Sequence, residues 1–326
     1  MVPTVPGHFL PSDGDCMRSL IPKSLKQILY RFVRAFTRAR LSCLPLSMQQ
    51  AESWAETIRH YVAIYHGESF PIVRQLNFGL SMPVGVIDHI ERHLRIEGDW
   101  DKPVTAVLQK VLKPGSTFLD IGANIGYFSL VASRLVGDTG TVVSVEPSLR
   151  ALRKFTDNVH RNRCQNILLL SVGAGDSFQR LRLTLATESN IGGSSIMAAG
   201  GPQPQVSIAV APLNELLRPL NIVPDLVKLD VEGFELYALR GLFEEHNLTC
   251  PVICEITAEF LQRNGQSVGE MFGMMSDRGY AAYRLDSDGA SVHGTRLNMQ
   301  DNFESSPQFD VLFVHESQAV PVAVFG

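Results

Sequence analysis

FLDIGANIGYFSL, residues Phe118–Leu130, places an acidic residue and two glycines between two apolar runs. A strand ending at Asp120, a turn through Gly122 and a helix starting near Ile125 or Gly126 explain the pattern. In an open α/β sheet, ligands sit outside the carboxyl ends of the strands, and this turn is the first such end along the chain. The spacing is G-x-x-x-G after an acid, not the G-x-G-x-x-G of dinucleotide binders. An aspartate there repels a phosphate and suits a cationic or amine-bearing ligand. A nicotinamide enzyme or a plain βα turn is the competing reading.

The next strand ends in VVSVEP, which puts Glu146 about twenty residues past the last glycine. A carboxylate in that position can accept both hydroxyls of a ribose. Together the two segments suit a ligand with an adenosine and a positive, amine-bearing tail, a description that S-adenosylmethionine fits.

Outward from these segments, apolar runs alternate between strand and helix period. Strands are expected near Thr117 to Ile121, Thr141 to Glu146, Ile167 to Val172, Leu226 to Leu229, Val252 to Ile256, Tyr280 to Leu285 and Val311 to Val314. This predicts an α/β fold, a Rossmann-like seven-stranded, mostly parallel sheet with helices on both faces. LRLTLAT and QVSIAV read as two further strands flanking the glycine-rich loop Asn190 to Pro204, which suits a ligand-covering segment. Before the sheet, PIVRQLNFGLSMPV is β-like with a turn at Gly79.

Between Asp15 and Glu52 there is no acid but seven basic residues, with Ile21, Leu25, Ile28, Leu29, Phe32, Val33 and Phe36 at helical spacing. The expected division is therefore a basic, amphipathic N-terminal helical extension over 1–66, a lead-in over 67–103 and the main domain over 104–326. The extension suits peripheral membrane or homo-oligomer contact. With 45% hydrophobic and 19% charged residues and no apolar run of about 20, no membrane span is expected. Five scattered cysteines and no secretory leader pattern fit the cytoplasm. A net charge of −4 argues against nucleic acid as a partner.

LVKLDVEGFELYALRGL closely resembles the K-x-D-x-E-G-x-E signature of the FkbM family of class I S-adenosylmethionine-dependent methyltransferases. LNFGLSMPVGVIDHIERHLRIEGDWDKP resembles that family's lead-in, with Trp100 and Asp101 where a Trp-Glu or Tyr-Glu pair is usual, and PVICEIT follows in order. The resemblance covers about residues 70 to 315. It implies methylation, usually of a hydroxyl, on a small-molecule natural product or saccharide.

It also implies that Asp120, Gly122, Ala123, Asn124 and Gly126 surround the methionine part of the cofactor. Glu146 and Pro147 would lie at the ribose, Gly175 and Asp176 near the adenine, and Asp230 beside the cofactor. SVGAGDS departs from the usual N-x-A-L-G-D at the adenine loop. Asp230, Glu232 and Glu255 are the expected catalytic residues, since a hydroxyl acceptor must lose a proton. Gly233 favours a turn that brings Asp230 and Glu232 into one cleft. A helix-capping role for Glu232 and a solvated Lys228–Glu235 pair are the plainer expectations. No metal is called for by the spacing of His293 and His315. A catalytically silent cofactor-binding scaffold and an N-methyltransferase remain alternatives.

Overall fold

A computed structural model describes residues 71–185, 204–244, 248–287, 292–303 and 305–318. The basic extension and nearly all of the loop Asn190 to Pro204 lie outside the described residues.

The lead-in forms a small hairpin, β1 (Ile72–Gln75) with β2 (Ser81–Val84), reversed through Asn77–Gly79. Helix α1 (His89–Glu97) follows because the Asp88 carboxylate accepts from the Glu91 amide, and it stops where Gly98 turns left-handed. Helix α2 (Lys102–Val111) is capped in the same way, the Asp101 carboxylate accepting from the Val104 amide. Glu91 is buried and ties this segment to the main sheet's helices, accepting from the Gly85 amide and pairing with Lys154.

Strand and helix then alternate: β3 (Thr117–Ile121), α3 (Tyr127–Val136), β4 (Thr141–Val145), α4 (Leu149–Asn162) and β5 (Ile167–Leu170). A three-stranded sheet interrupts, with β6 (Gly173–Gly175), β7 (Gln179–Thr184) and β8 (Gln205–Pro212), in the order β6-β8-β7. The main fold resumes with α5 (Leu213–Leu217), β9 (Leu226–Leu229), α6 (Glu235–Phe243), β10 (Val252–Ile256), α7 (Ala258–Arg263) and α8 (Val268–Asp277). It ends with β11 (Tyr280–Ser287), β12 (Val292–Arg296) and β13 (Phe309–His315).

The main sheet has eight strands, not seven, in the order β12-β11-β13-β10-β9-β3-β4-β5. The extra one is β12, an edge strand folded back on β11 from Ser287↔Val292 to Tyr283↔Arg296. β5, β4, β3, β9 and β10 are mutually parallel, and β13 runs antiparallel between β10 and β11. Chain order reverses at β3, which opens a crevice between the carboxyl ends of β3 and β9.

Side chains alternate between faces along each strand. One face carries Leu119, Val143, Val227, Cys254 and Val311 against Leu236, Leu239 and Phe272. The other carries Phe118, Val142, Leu226, Ile253 and Leu312 against Leu108, Leu130 and Val131. Each fully buried side chain contributes about 1.5–3 kcal/mol. On this second face the pattern changes character toward the crevice. Two residues beyond Phe118 stands Asp120, beyond Leu226 stand Lys228 and Asp230, beyond Ile253 stands Glu255, and beside Leu312 stands Asp310. The apolar core therefore grades into a charged rim without leaving the sheet.

At the opposite edge, Tyr280, Arg296 and Asn298 help line an open cavity of about 520 Å³.

Candidate active site

The bare backbone of the Phe118–Leu130 segment is used chiefly for contact of chain against chain. Gly122 is left-handed, and a Cβ there would lie 1.7 Å from the Asp230 carbonyl oxygen. Gly126 is also left-handed, and a Cβ there would lie 2.1 Å from the Phe155 ring. The turn after β3 thus rests directly on the turn after β9. The Gly122 and Ala123 amides donate to the Val145 carbonyl at 2.9 and 3.1 Å.

Glu146 holds this turn to the next one. Its carboxylate accepts from the Asn124 amide at 2.9 Å and, across Pro147, from the Ser148 amide at 2.7 Å. Burial pushes its carboxyl up to about 7. Each oxygen keeps a lone pair for a further donor. Asn124 is left-handed, and its side-chain Oδ1 is buried with no hydrogen-bond partner among the described residues.

Lys228 is the centre of the charged rim. It is only 5% exposed; its ammonium donates to Asp230 Oδ2 at 3.0 Å and lies 5.0 Å from the Phe128 ring centroid. Burial works against the charge, but Asp230 and Asp120 outweigh it and raise the lysine above its ordinary value. Asp120, 1% exposed, accepts from the Ser129 hydroxyl through Oδ2, and its Oδ1 has no partner among the described residues. Burial raises its carboxyl despite the nearby ammonium.

The expected Lys228–Glu235 pair is absent for a geometric reason: Lys228 and Asp230 share one strand face, whereas Glu235 folds back over the turn. Glu235 Oε1 accepts from the Val231 and Gly233 amides at 3.2 and 3.0 Å. The turn is left-handed at Glu232 and Gly233, as the cleft arrangement requires. Helix α6 begins at Glu235, so Glu232 does not cap it; burial and then Asp230 push the Glu232 carboxyl up to about 8.

Glu255 stands beside Asp230 across β10 and β9, and directly opposite Asp310 on β13. Burial, then Asp230 and Asp310, push Glu255 up to about 9. Burial and then Asp101 push Asp310 up to about 8, and burial raises Asp101, the α2 cap, to about 6. Asp120, Glu146, Asp230, Glu232 and Glu255 are therefore gathered at one sheet edge around Gly122, Ala123, Asn124 and Gly126. Lys228 and Asp310 belong to the same group, although sequence reasoning gave neither a role in the site; the β13 register that brings Asp310 in is not visible in one sequence.

Gly175 and Asp176 stand apart from this hydrogen-bonded group. Gly175 is buried in β6, where a Cβ on Gly241 of α6 would lie 1.9 Å from its carbonyl oxygen. Asp176 accepts from the Ser177 hydroxyl at 3.1 Å. Among the described residues no helix is long and apolar enough to cross a membrane.

The family described as "Methyltransferase FkbM domain" matches residues 120–282, half of the chain. The chain is 46% identical over 167 residues to the 23S rRNA (uracil(1939)-C(5))-methyltransferase RlmD of Psychrobacter arcticus. That match covers 49% of this chain but 32% of the relative, so the chain spans about a third of its length. Among solved structures, methyltransferase FkbM from Methylobacillus flagellatus KT is similar at 16% identity, with 92% of this chain and 60% of that one covered and a TM-score of 0.38. A SAM-dependent O-methyltransferase from Thermotoga maritima is similar at 10% identity, covering 76% and 78%, with a TM-score of 0.38. S-adenosylmethionine is the expected cofactor. With its strand-end acids, glycine turn and K-x-D-x-E-G-x-E segment inside the matched span, the chain belongs to the FkbM methyltransferase family.

Proposed function

We propose that the protein transfers a methyl group from S-adenosylmethionine to a hydroxyl oxygen of a small-molecule natural product or saccharide. The observation that carries this reading is the row Asp120, Lys228, Asp230, Glu255 and Asp310 on one sheet face, beside the left-handed turn at Gly122. The residues fit the cofactor. The unpartnered oxygens of Asp120 and Asn124 supply acceptors for its donors, and Glu146 keeps lone pairs for its ribose hydroxyls. When bound, the cofactor supplies a methyl group already activated by a positive sulfur.

The protein's share of the work is alignment, electrostatics and the proton. Holding two reactants in contact geometry supplies about 7 to 11 kcal/mol of a barrier. Among the described rim residues carboxyl groups outnumber ammonium groups, so a cation at the crevice favours their ionised forms and is held by them. Asp230, Glu232 and Glu255 are the groups positioned to accept a hydroxyl proton. Gly175, the last residue of β6, and Asp176 directly after it are assigned to the adenine side.

The similarity to RlmD favours a second reading, methylation of a uracil carbon. Carbon 5 of uracil becomes nucleophilic when a thiolate adds to the neighbouring carbon. Among the described cysteines, Cys250 and Cys254 are buried, and burial pushes the Cys250 thiol up to about 12 and the Cys254 thiol well above its usual value. Such thiols are inert. Cys164 follows α4 and precedes β5, at the strand entry side away from the crevice. The acidic rim also repels phosphate. Buried, unpaired thiols suit a reducing cytoplasm.

S-adenosylhomocysteine is expected to stabilise the protein by about 2.7 kcal/mol at a hundredfold excess over Kd. Glu146→Ala should reduce the melting shift sharply relative to its own ligand-free form. An undiminished shift in that variant refutes the ribose assignment. Asp230→Asn keeps the side-chain shape and should lower turnover about a hundredfold or more while S-adenosylhomocysteine still binds. Parental turnover on sugar and polyketide hydroxyls would remove Asp230 from the reaction.

A further inference from the structure

Asp310 lies outside the family-matched span and is not among the residues that the signature segments supply. It is nevertheless the cross-strand neighbour of Glu255, both side chains projecting from the same face of the sheet. Directly opposed antiparallel residues have Cβ atoms about 5 Å apart. Neither carboxyl has a hydrogen-bond or ion-pair partner among the described residues, and both are partly open to solvent. Asp120, two strands away on the same face and 1% exposed, leaves Oδ1 without a donor, a buried acceptor in the same row.

Resting on the methyl-transfer reading above, we propose that Glu255 and Asp310 act as one proton-holding pair on the acceptor side of the crevice. Glu255 takes the hydroxyl proton, and Asp310 is the positioning residue that sets when Glu255 is free to take it. The balance is simple. The acceptor's O–H bond breaks, its electron pair stays on oxygen for the new O–C bond, and the proton passes to the Glu255 carboxylate. The methyl–sulfur bond breaks with its electrons going to sulfur.

The physical basis is that two carboxylates this close do not ionise independently; the first charge raises the proton affinity of the second. The charged groups facing the pair are Asp230, Lys228 and Glu232 from β9 and its turn and Asp101 from the α2 cap. Of these only Lys228 opposes the effect, and its ammonium is already engaged by Asp230. The directions of both carboxyls, upward by burial and by acidic neighbours, agree with a pair that holds a proton near neutrality.

The test follows the side-chain carboxyl ¹³C resonances of Glu255 and Asp310 through a pH titration with S-adenosylhomocysteine bound. Asp310→Asn is expected to lower the Glu255 midpoint by about one to two pH units, the size of a unit-charge interaction at this distance in a partly buried site. Glu255→Gln should move the Asp310 midpoint less, because Asp310 loses its proton while Glu255 is still largely neutral. A role confined to packing moves melting temperature but not these midpoints, and Asp310→Ser provides a second variant should the asparagine destabilise β13. With an acceptor that the parent protein methylates, Asp310→Asn should also shift the rising limb of kcat against pH to lower pH by the same interval. A Glu255 midpoint that stays in place in Asp310→Asn, or a kinetic limb that stays in place while that midpoint moves, overturns the proposal. S-adenosylhomocysteine failing to bind the parent would instead overturn the methyltransferase reading itself, so the two failures are distinguishable.

Discussion

Gly122→Ala is expected to destabilise the protein by about 3 kcal/mol or more and to abolish S-adenosylhomocysteine binding. Two effects add. A non-glycine residue in left-handed backbone costs about 1–2 kcal/mol, and forcing a methyl group into filled space costs about 1–3 kcal/mol more. The space at Gly122 is filled by the Asp230 carbonyl, 1.7 Å from the new carbon, so no flexible side chain can yield. The two turns must separate, and the crevice separates with them. Gly265→Ala is the control: its φ is likewise positive, at 72°, but nothing lies within 4 Å of its added carbon, so only the first, backbone cost applies. Thermal melting and calorimetry on both variants check the difference. Equal losses would mean that contact between the turns is unimportant.

Lys228→Met should be the most damaging single change in the charged rim. Removing one partner of a buried ion pair costs about 3–5 kcal/mol, because the other charge is left without compensation. Here Asp230 loses its ammonium at 3.0 Å, and Asp120 loses the nearby cation that favours its charged form. The sign with pH is definite. The lysine's value is raised on folding, so its own titration takes nothing from its contribution below about pH 10 and removes it only as pH rises past that. The neighbouring carboxyls, raised by burial, take up protons as pH falls, so the variant's deficit should shrink between pH 8 and pH 5. Adding Asp230→Asn to Lys228→Met should recover part of the loss. Additive losses in that double-mutant cycle would show the two groups to be independent.

The central sheet was legible from sequence because its strands are short apolar runs bounded by turn residues. Thr117–Ile121, Leu226–Leu229 and Val252–Ile256 fall where the apolar pattern puts them. β12 was not legible, because VHGTR carries one apolar residue and a glycine; its pairing depends on β11 already being in place. β6, three residues of GAG, is likewise defined by its partner β8 rather than by its own composition.

At the candidate site, local signals worked and cross-sheet ones did not. Asp120, Glu146, Asp230 and Glu232 announce themselves by following apolar runs and preceding turns. The partner of Lys228 was misassigned because i, i+2 neighbours on a strand share a face, whereas Glu235 lies beyond a left-handed turn that redirects the chain. Asp310 sits within QFDVLFV, which reads as an ordinary strand start, and its meaning resides wholly in register with Glu255.

β13 runs against its neighbours, and this decides where the chain can change length with effect at the crevice. Parallel strands present their exits there, but β13 presents its entry, Phe309 and Asp310, opposite the exit of β10 at Glu255 and Ile256. Residues added directly ahead of Phe309 would thus extend the wall beside Glu255. The same addition after His315 would emerge beside Tyr280, at the far edge of the sheet. Homologues that differ in loop length ahead of this last strand are therefore the ones whose acceptors should differ in size, while the cofactor-side turns stay unaltered.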